Sequence, residues 1–184
     1  MKNSMILNLI PDNVLSNYRL EILNVLVGGA EEYLAKSVVP VYQISIWTDL
    51  QSAISCVNFE TKENALKTIA RSVQFWIGHG NYDEAERLRE LVVNGNPADF
   101  KYARIFEGKH SSLKTILDAV DINHDIQNEL ELILEKHLLE MIDVFVKEPV
   151  FLELPKEDDV YIGVSSPLDW YDDVRIWHDQ DWLP

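Results

Sequence analysis

From Pro11 onward, apolar residues recur at mixed spacings of three and four: Val14, Leu15, Tyr18, Leu20, Ile22, Leu23, Val25 and Leu26. That period predicts a helix, and Asp12 stands where an N-cap would. Gly28-Gly29 should break or bend it, because an interior glycine costs about 1 kcal/mol relative to alanine if the helix continues to Lys36. The pattern then changes. Residues 38–48 and 52–58 are rich in β-branched and aromatic side chains, and the polar Asp49-Leu50-Gln51 between them predicts a β-hairpin. In its first strand Tyr42, Ile44 and Ile46 oppose Val39, Val41, Gln43, Ser45 and Trp47, and the first set is expected to face the core.

Thr61 is placed to cap a helix whose Ala65, Leu66, Ile69, Ala70, Val73 and Trp76 or Ile77 share one side, with Gly78-His79-Gly80-Asn81 stopping it. Asn81 followed by Glu84 has the spacing of a capping box and opens a short charged helix. Pro97-Ala98-Asp99 starts a further short segment carrying Phe100, Tyr102, Ile105 and Phe106. Ser111 or Ser112 can cap the next helix, and Asn123 the longest one, over residues 124–146. Ile126, Leu130, Ile133, Leu134, His137, Leu138, Met141, Ile142 and Phe145 form its broad apolar stripe. Residues 150–154 and 160–164 flank Pro155-Lys156-Glu157-Asp158-Asp159 and predict a second hairpin. After Ser165 no period is visible. The expected fold is α+β, a single domain over residues 1–184 with an irregular aromatic and acidic tail at 165–184. It should hold a largely antiparallel sheet of about four strands, as two hairpins, with helices packed on one face.

Composition narrows the function classes. Of 184 residues, 47% are hydrophobic and 26% charged, which is globular and not disordered. A net charge of −15 repels phosphate backbones and anionic lipid, so neither direct nucleic-acid binding nor a membrane surface is expected. The single cysteine, Cys56, lies in an apolar run and reads as an inert core thiol, leaving no disulfide framework. The apolar run Met5 to Ile10 is too short for a signal sequence or a span, which makes a cytoplasmic address the expectation.

The charge is unevenly placed. Residues 121–184 carry 17 acidic groups against 4 basic ones. Glu131 and Glu135 stand four apart on the long predicted helix, where like charges cost about 0.2–0.5 kcal/mol. In the tail Trp170, Tyr171, Trp177 and Trp182 interleave with Asp169, Asp172, Asp173, Asp179 and Asp181. Aromatic anchors beside carboxylates suit an interface against a partner rich in Arg and Lys, since rings exclude water and offer their faces to cations. The competing reading is that the rings pin the C-terminus to the body of the domain. The expected partner-binding set is Glu131, Glu135, Asp169, Trp170, Tyr171, Asp172, Asp173, Trp177, Asp179 and Trp182.

Catalytic signals are weak. His79, His110, His124, His137 and His178 are scattered, without an H-E-x-x-H or a Cys/His cluster, and His137 reads as a core residue. His178 with Asp179, Asp172 and Asp173 is the best metal candidate, but acidic residues abound there by composition. Gly163-Val164-Ser165-Ser166-Pro167 is not a nucleophile elbow, and Gly78-His79-Gly80 lacks both dinucleotide and P-loop spacing. No catalytic residue, metal or cofactor is expected.

Three stretches carry a resemblance: Tyr42-Gln-Ile-Ser-Ile-Trp-Thr-Asp49 running to Asn58-Phe-Glu-Thr61, then Asn96-Pro-Ala-Asp-Phe-Lys-Tyr102, then Val160-Tyr-Ile-Gly-Val-Ser165 before an acidic loop. This order resembles small acidic bacterial α+β proteins of unknown function, some regarded as immunity proteins of polymorphic toxin systems. The resemblance spans about residues 38–170, and its short motifs transfer no functional residue. It implies a non-enzymatic inhibitor that occludes a basic toxin, such as a nuclease; that the contact is made through the acidic C-terminal third follows from the skew of charge and not from the resemblance. Two alternatives stand beside it: an enzyme of unrecognised family using carboxylates as acid and base, and a mimic of DNA charge with carboxylates spaced along a ridge.

Overall fold

A computed structural model of the protein describes residues 10–49, 52–119, 124–165, 173–178 and 181–183. In chain order these form α1 (Asp12–Lys36), β1 (Val41–Asp49), β2 (Ile54–Glu60), α2 (Lys62–Gly78), α3 (Tyr82–Arg89), β3 (Tyr102–Lys109), α4 (Ser111–Ala119), α5 (His124–Phe145), α6 (Pro149–Glu153), β4 (Lys156–Ser165), β5 (Asp173–His178) and β6 (Asp181–Leu183).

The strands make one mixed sheet in the order β3-β2-β1-β4-β5-β6. Two antiparallel meanders, one from each end of the chain, meet side by side where β1 and β4 pair in parallel. The α+β class and a largely antiparallel sheet stand, while the sheet is larger than expected and holds one parallel pair. Helices also cover both faces. Buried residues of α1, α4, α5 and α6 pack with Ile44, Ile46, Val57, Phe59, Val160, Ile162 and Val164 on one side. On the other, Asn64 of α2 reaches Glu60 of the sheet.

Several expectations are corrected. Gly28 and Gly29 do not interrupt α1. A Cβ on Gly29 would collide with Val57, and one on Gly28 would stand 2.7 Å from the Phe106 ring, so this pair lets the helix lie close against β2 and β3. Packing thus outweighs propensity, with Tyr18, Ile22, Val25, Leu26, Ala30 and Tyr33 of the same helix buried. The N-cap position falls on Pro11, and Asp12 sits in the first turn. Residues 150–154 are not a strand. Pro149 begins α6, consistent with the preference of proline for the first helical turn, and a short apolar run does not by itself separate helix from strand. The second hairpin is instead β4 with β5, which draws the tail into the sheet, and β6 extends it. The segment with Phe100 to Phe106 becomes a short 3-10 turn, Pro97–Asp99, followed by the edge strand β3.

The capping expectations hold where a polar side chain meets an amide. Thr61 accepts from the Asn64 amide at 3.4 Å and Asn81 from that of Glu84 at 3.2 Å. The long α5 lies where its stripe placed it, burying Leu130, Leu134, Leu138, Ile142 and Phe145. The Asn123 cap and the connector residues Leu50 and Gln51 lie outside the described residues.

Candidate functional site

The alternation of β1 slips at its start. Val41 belongs to the core cluster while Tyr42 does not, the reverse of the expectation. The cause is an irregularity in pairing with β4: Val41 lies opposite Lys156, but Gln43 lies opposite Tyr161. The stretch Glu157 to Val160 of β4 therefore has no matching length on β1 and bulges, as extra residues in a strand must. The acidic triplet read as a hairpin turn is the outer part of this bulge.

Beside it lies a groove of about 380 Å³ lined by Tyr42, Lys62, Leu66, Leu91, Val92 and Tyr161 together with Glu157, Asp158 and Asp159. Tyr42 donates its hydroxyl to the Val92 carbonyl at 2.6 Å and meets the Tyr161 ring edge-on, 5.3 Å between centroids. Lys62 Nζ stands 5.7 Å from the Tyr42 ring. Leu66 and Val92 are 50% and 52% exposed, so the rim is apolar and open. Burial pushes the Tyr42 hydroxyl up to about 12, with help from Tyr161 and from the charges of Asp159 and Glu157. Asp159 also pairs with His178 across the β4–β5 register. Carboxylates, aromatic rings and an apolar rim together suit a cationic side chain with an aliphatic stem. The sequence pattern indicated the acidic run, but not Tyr42, Tyr161, Leu66 or Val92, which come from β1, β4, α2 and the loop after α3.

The expected partner-binding residues fare differently. Asp169, Trp170, Tyr171, Asp172 and Asp179 lie outside the described residues, as do the side chains of Glu131, Asp173 and Trp182, whose backbones belong to α5, β5 and β6. Glu135 is half-buried on α5 and has a partner within the protein. Trp177 is only 9% exposed and packs edge-on against Phe151 at 5.5 Å, so this ring pins the C-terminal strand to the core. The acidic face of α5 is also partly engaged from within. Glu140 pairs with Arg19 of α1 at 3.0 Å, and Arg19 donates Nε–H to His137 Nδ1 at 3.1 Å.

The sheet face under α2 is polar and fully paired. Glu60 Oε1 accepts from the amides of Thr61 (2.8 Å) and Lys101 (3.1 Å), and its Oε2 from Asn64 Nδ2 (2.8 Å). Gln43 and the Asn94 backbone exchange two hydrogen bonds, at 3.2 and 2.8 Å. These bonds moor the Asn96-to-Tyr102 motif, which gives it a structural role. Between α2, α3 and this loop runs a cleft of about 590 Å³ whose Arg87 is held by Glu84 at 2.6 and 2.9 Å. A smaller cleft of about 230 Å³ reaches Cys56, whose thiol burial pushes up to about 11, as an inert core cysteine requires.

Among the described residues no group of three or more His, Cys, Asp or Glu could hold a metal ion, and no helix is long and apolar enough to cross a membrane. Comparison with family models, with curated proteins and with solved structures finds no match to this chain.

Proposed function

We propose that the chain is a non-enzymatic acidic binding protein that captures a basic protein partner, in the manner of an immunity-type inhibitor occluding a toxin. The observation that carries this reading is the groove at the β4 bulge, where Glu157, Asp158 and Asp159 stand beside Tyr42, Tyr161 and the exposed Leu66 and Val92. A lysine or arginine of the partner would lay its stem on the apolar rim and its charge against the carboxylates. The excess of acidic groups in residues 121–184 would speed encounter over longer range. Burial keeps Tyr42 and Cys56 protonated, so neither is a ready nucleophile or base.

The test uses a fluorescent Lys/Arg-rich peptide of extended sequence as the probe, titrated with the full chain at low and at physiological salt. Neutralising Glu157, Asp158 and Asp159 to Gln and Asn is expected to weaken binding by about tenfold or more, on a scale of roughly 1.4 kcal/mol per tenfold. Neutralising the exposed Glu63 and Glu86 should change it little. Equal loss in the two variants, or no binding even in dilute buffer, would overturn the reading.

A further inference from the structure

His110 closes the corner between β3 and α4 and is 2% exposed, yet neither ring nitrogen has a hydrogen-bond partner among the described residues. Two residues of α1 face it. Tyr18 meets the imidazole edge-on at 5.6 Å, and its hydroxyl, near Thr48, also makes no hydrogen bond of normal geometry. Glu21 places Oε2 3.6 Å from His110 Nδ1, beyond hydrogen-bond reach.

The Glu21 carboxylate is already in use. It accepts from Ser111 Oγ at 2.8 Å and from Ser112 Oγ at 2.6 Å, and lies 3.4 Å from the Ser112 amide. It therefore acts as a cap supplied from α1 to the first turn of α4. Lys109 and Lys114, the charged neighbours along the chain, are exposed. Glu21 and Tyr18 are thus the titratable groups set against the ring among the described residues.

We propose that His110 is an acid-sensitive latch that holds α4 against α1 while its imidazole is neutral. A proton on the ring turns its acceptor nitrogen into a second buried donor and adds a charge. Among the described residues Glu21 is the carboxylate close to the ring, and accepting from His110 competes with its hold on the α4 cap. The ionised ring is relieved by turning to solvent, which disturbs the His110 amide bond to the Ala53 carbonyl (2.8 Å) and the Lys114 amide bond to the His110 carbonyl (3.2 Å). α4 then lifts, exposing Leu113 and Ile116, both buried in the closed form. Burial holds the His110 pKa below the ordinary histidine value, with Glu21 opposing, which is the direction the latch requires.

The experiment follows amide hydrogen exchange of the full chain from neutral pH down to about pH 5, corrected for the intrinsic exchange rate. Opening of α4 is expected to grow by up to tenfold per pH unit once the pH falls below the titration range of the open-state histidine, about 6.5. Amides of β1 and α5 should not share that rise. In His110→Leu the pH dependence of α4 should vanish. Should that variant fail to fold, NMR titration of the wild-type imidazole decides instead: His110 is expected to titrate below a free histidine, together with the α4 amides. A His110 that titrates at or above the free value, or α4 exchange that follows the rest of the fold, would overturn the proposal.

Discussion

Lys156 holds its ammonium 5.2 Å from the centre of the Trp177 ring and 5.0 Å from that of Phe151. The same nitrogen donates to the carbonyls of Phe151, Leu152 and Leu154 at 2.8, 3.0 and 2.9 Å. One cation therefore caps the C-terminal end of α6, and it does so while lying over the indole that anchors β5. This arrangement joins the first residue of β4 to the tail and explains why the tail continues the sheet.

Lys156→Met keeps the aliphatic stem but removes the cation. Unfolding in urea is expected to show a loss of about 2 kcal/mol, since charged hydrogen bonds and ring contacts are each worth of order 1. Trp177→Ala should cost about 3–5 kcal/mol, the range for truncating a buried aromatic. Trp177→Phe, in contrast, should leave capture of the basic peptide unchanged, because this ring serves the core.

Gly29→Ala forces a methyl group into Val57, and overpacking of this kind is expected to cost about 1–3 kcal/mol. Gly78→Ala, at the end of α2 with none of the described residues within 4 Å of the new methyl, should instead be neutral or stabilise by up to about 1 kcal/mol. Thermal denaturation of the pair checks both signs.

Glu60→Gln is nearly isosteric, yet it replaces one acceptor oxygen with a donor facing the amides or the Asn64 side chain. A buried donor left facing donors is expected to cost about 2–3 kcal/mol. Exchange of the Lys101 amide should rise in step, because Glu60 holds it to the sheet.

Acid should weaken the fold through two further carboxylates. Burial alone would raise Glu21, but the Ser112 and Ser111 hydroxyls and nearby His110 bring it below the ordinary value of 4.5. Glu140 is likewise lowered against burial by His137, Arg19 and Lys136. A carboxyl that is more acidic in the folded state adds stability above its unfolded pKa and loses it as the pH falls through the folded one. Glu21→Gln with Glu140→Gln should therefore be less stable at neutral pH and show a shallower decline below about pH 4.5. Urea midpoints across that range measure it.

Local rules made much of the chain legible. Thr61 and Asn81 cap their helices because a side-chain oxygen two or three residues from an amide needs no distant partner, and the α5 stripe reports its buried face directly. Residues 150–154 were ambiguous because five apolar-rich positions satisfy either period, and the choice of helix rests on Pro149 and on the cap from Lys156.

What the sequence by itself determined is therefore the set of elements with strong local signals, the α+β class and the skew of charge toward the C-terminal third. Tertiary structure alone decided three things: that Gly28 and Gly29 mark a close approach and not a break, that β1 and β4 pair in parallel, and that Glu157 to Asp159 stand beside Tyr42 and Leu66. The reason is common to all three. Each depends on atoms far apart along the chain competing for the same space, and periodicity along a single segment carries no record of what that segment will meet.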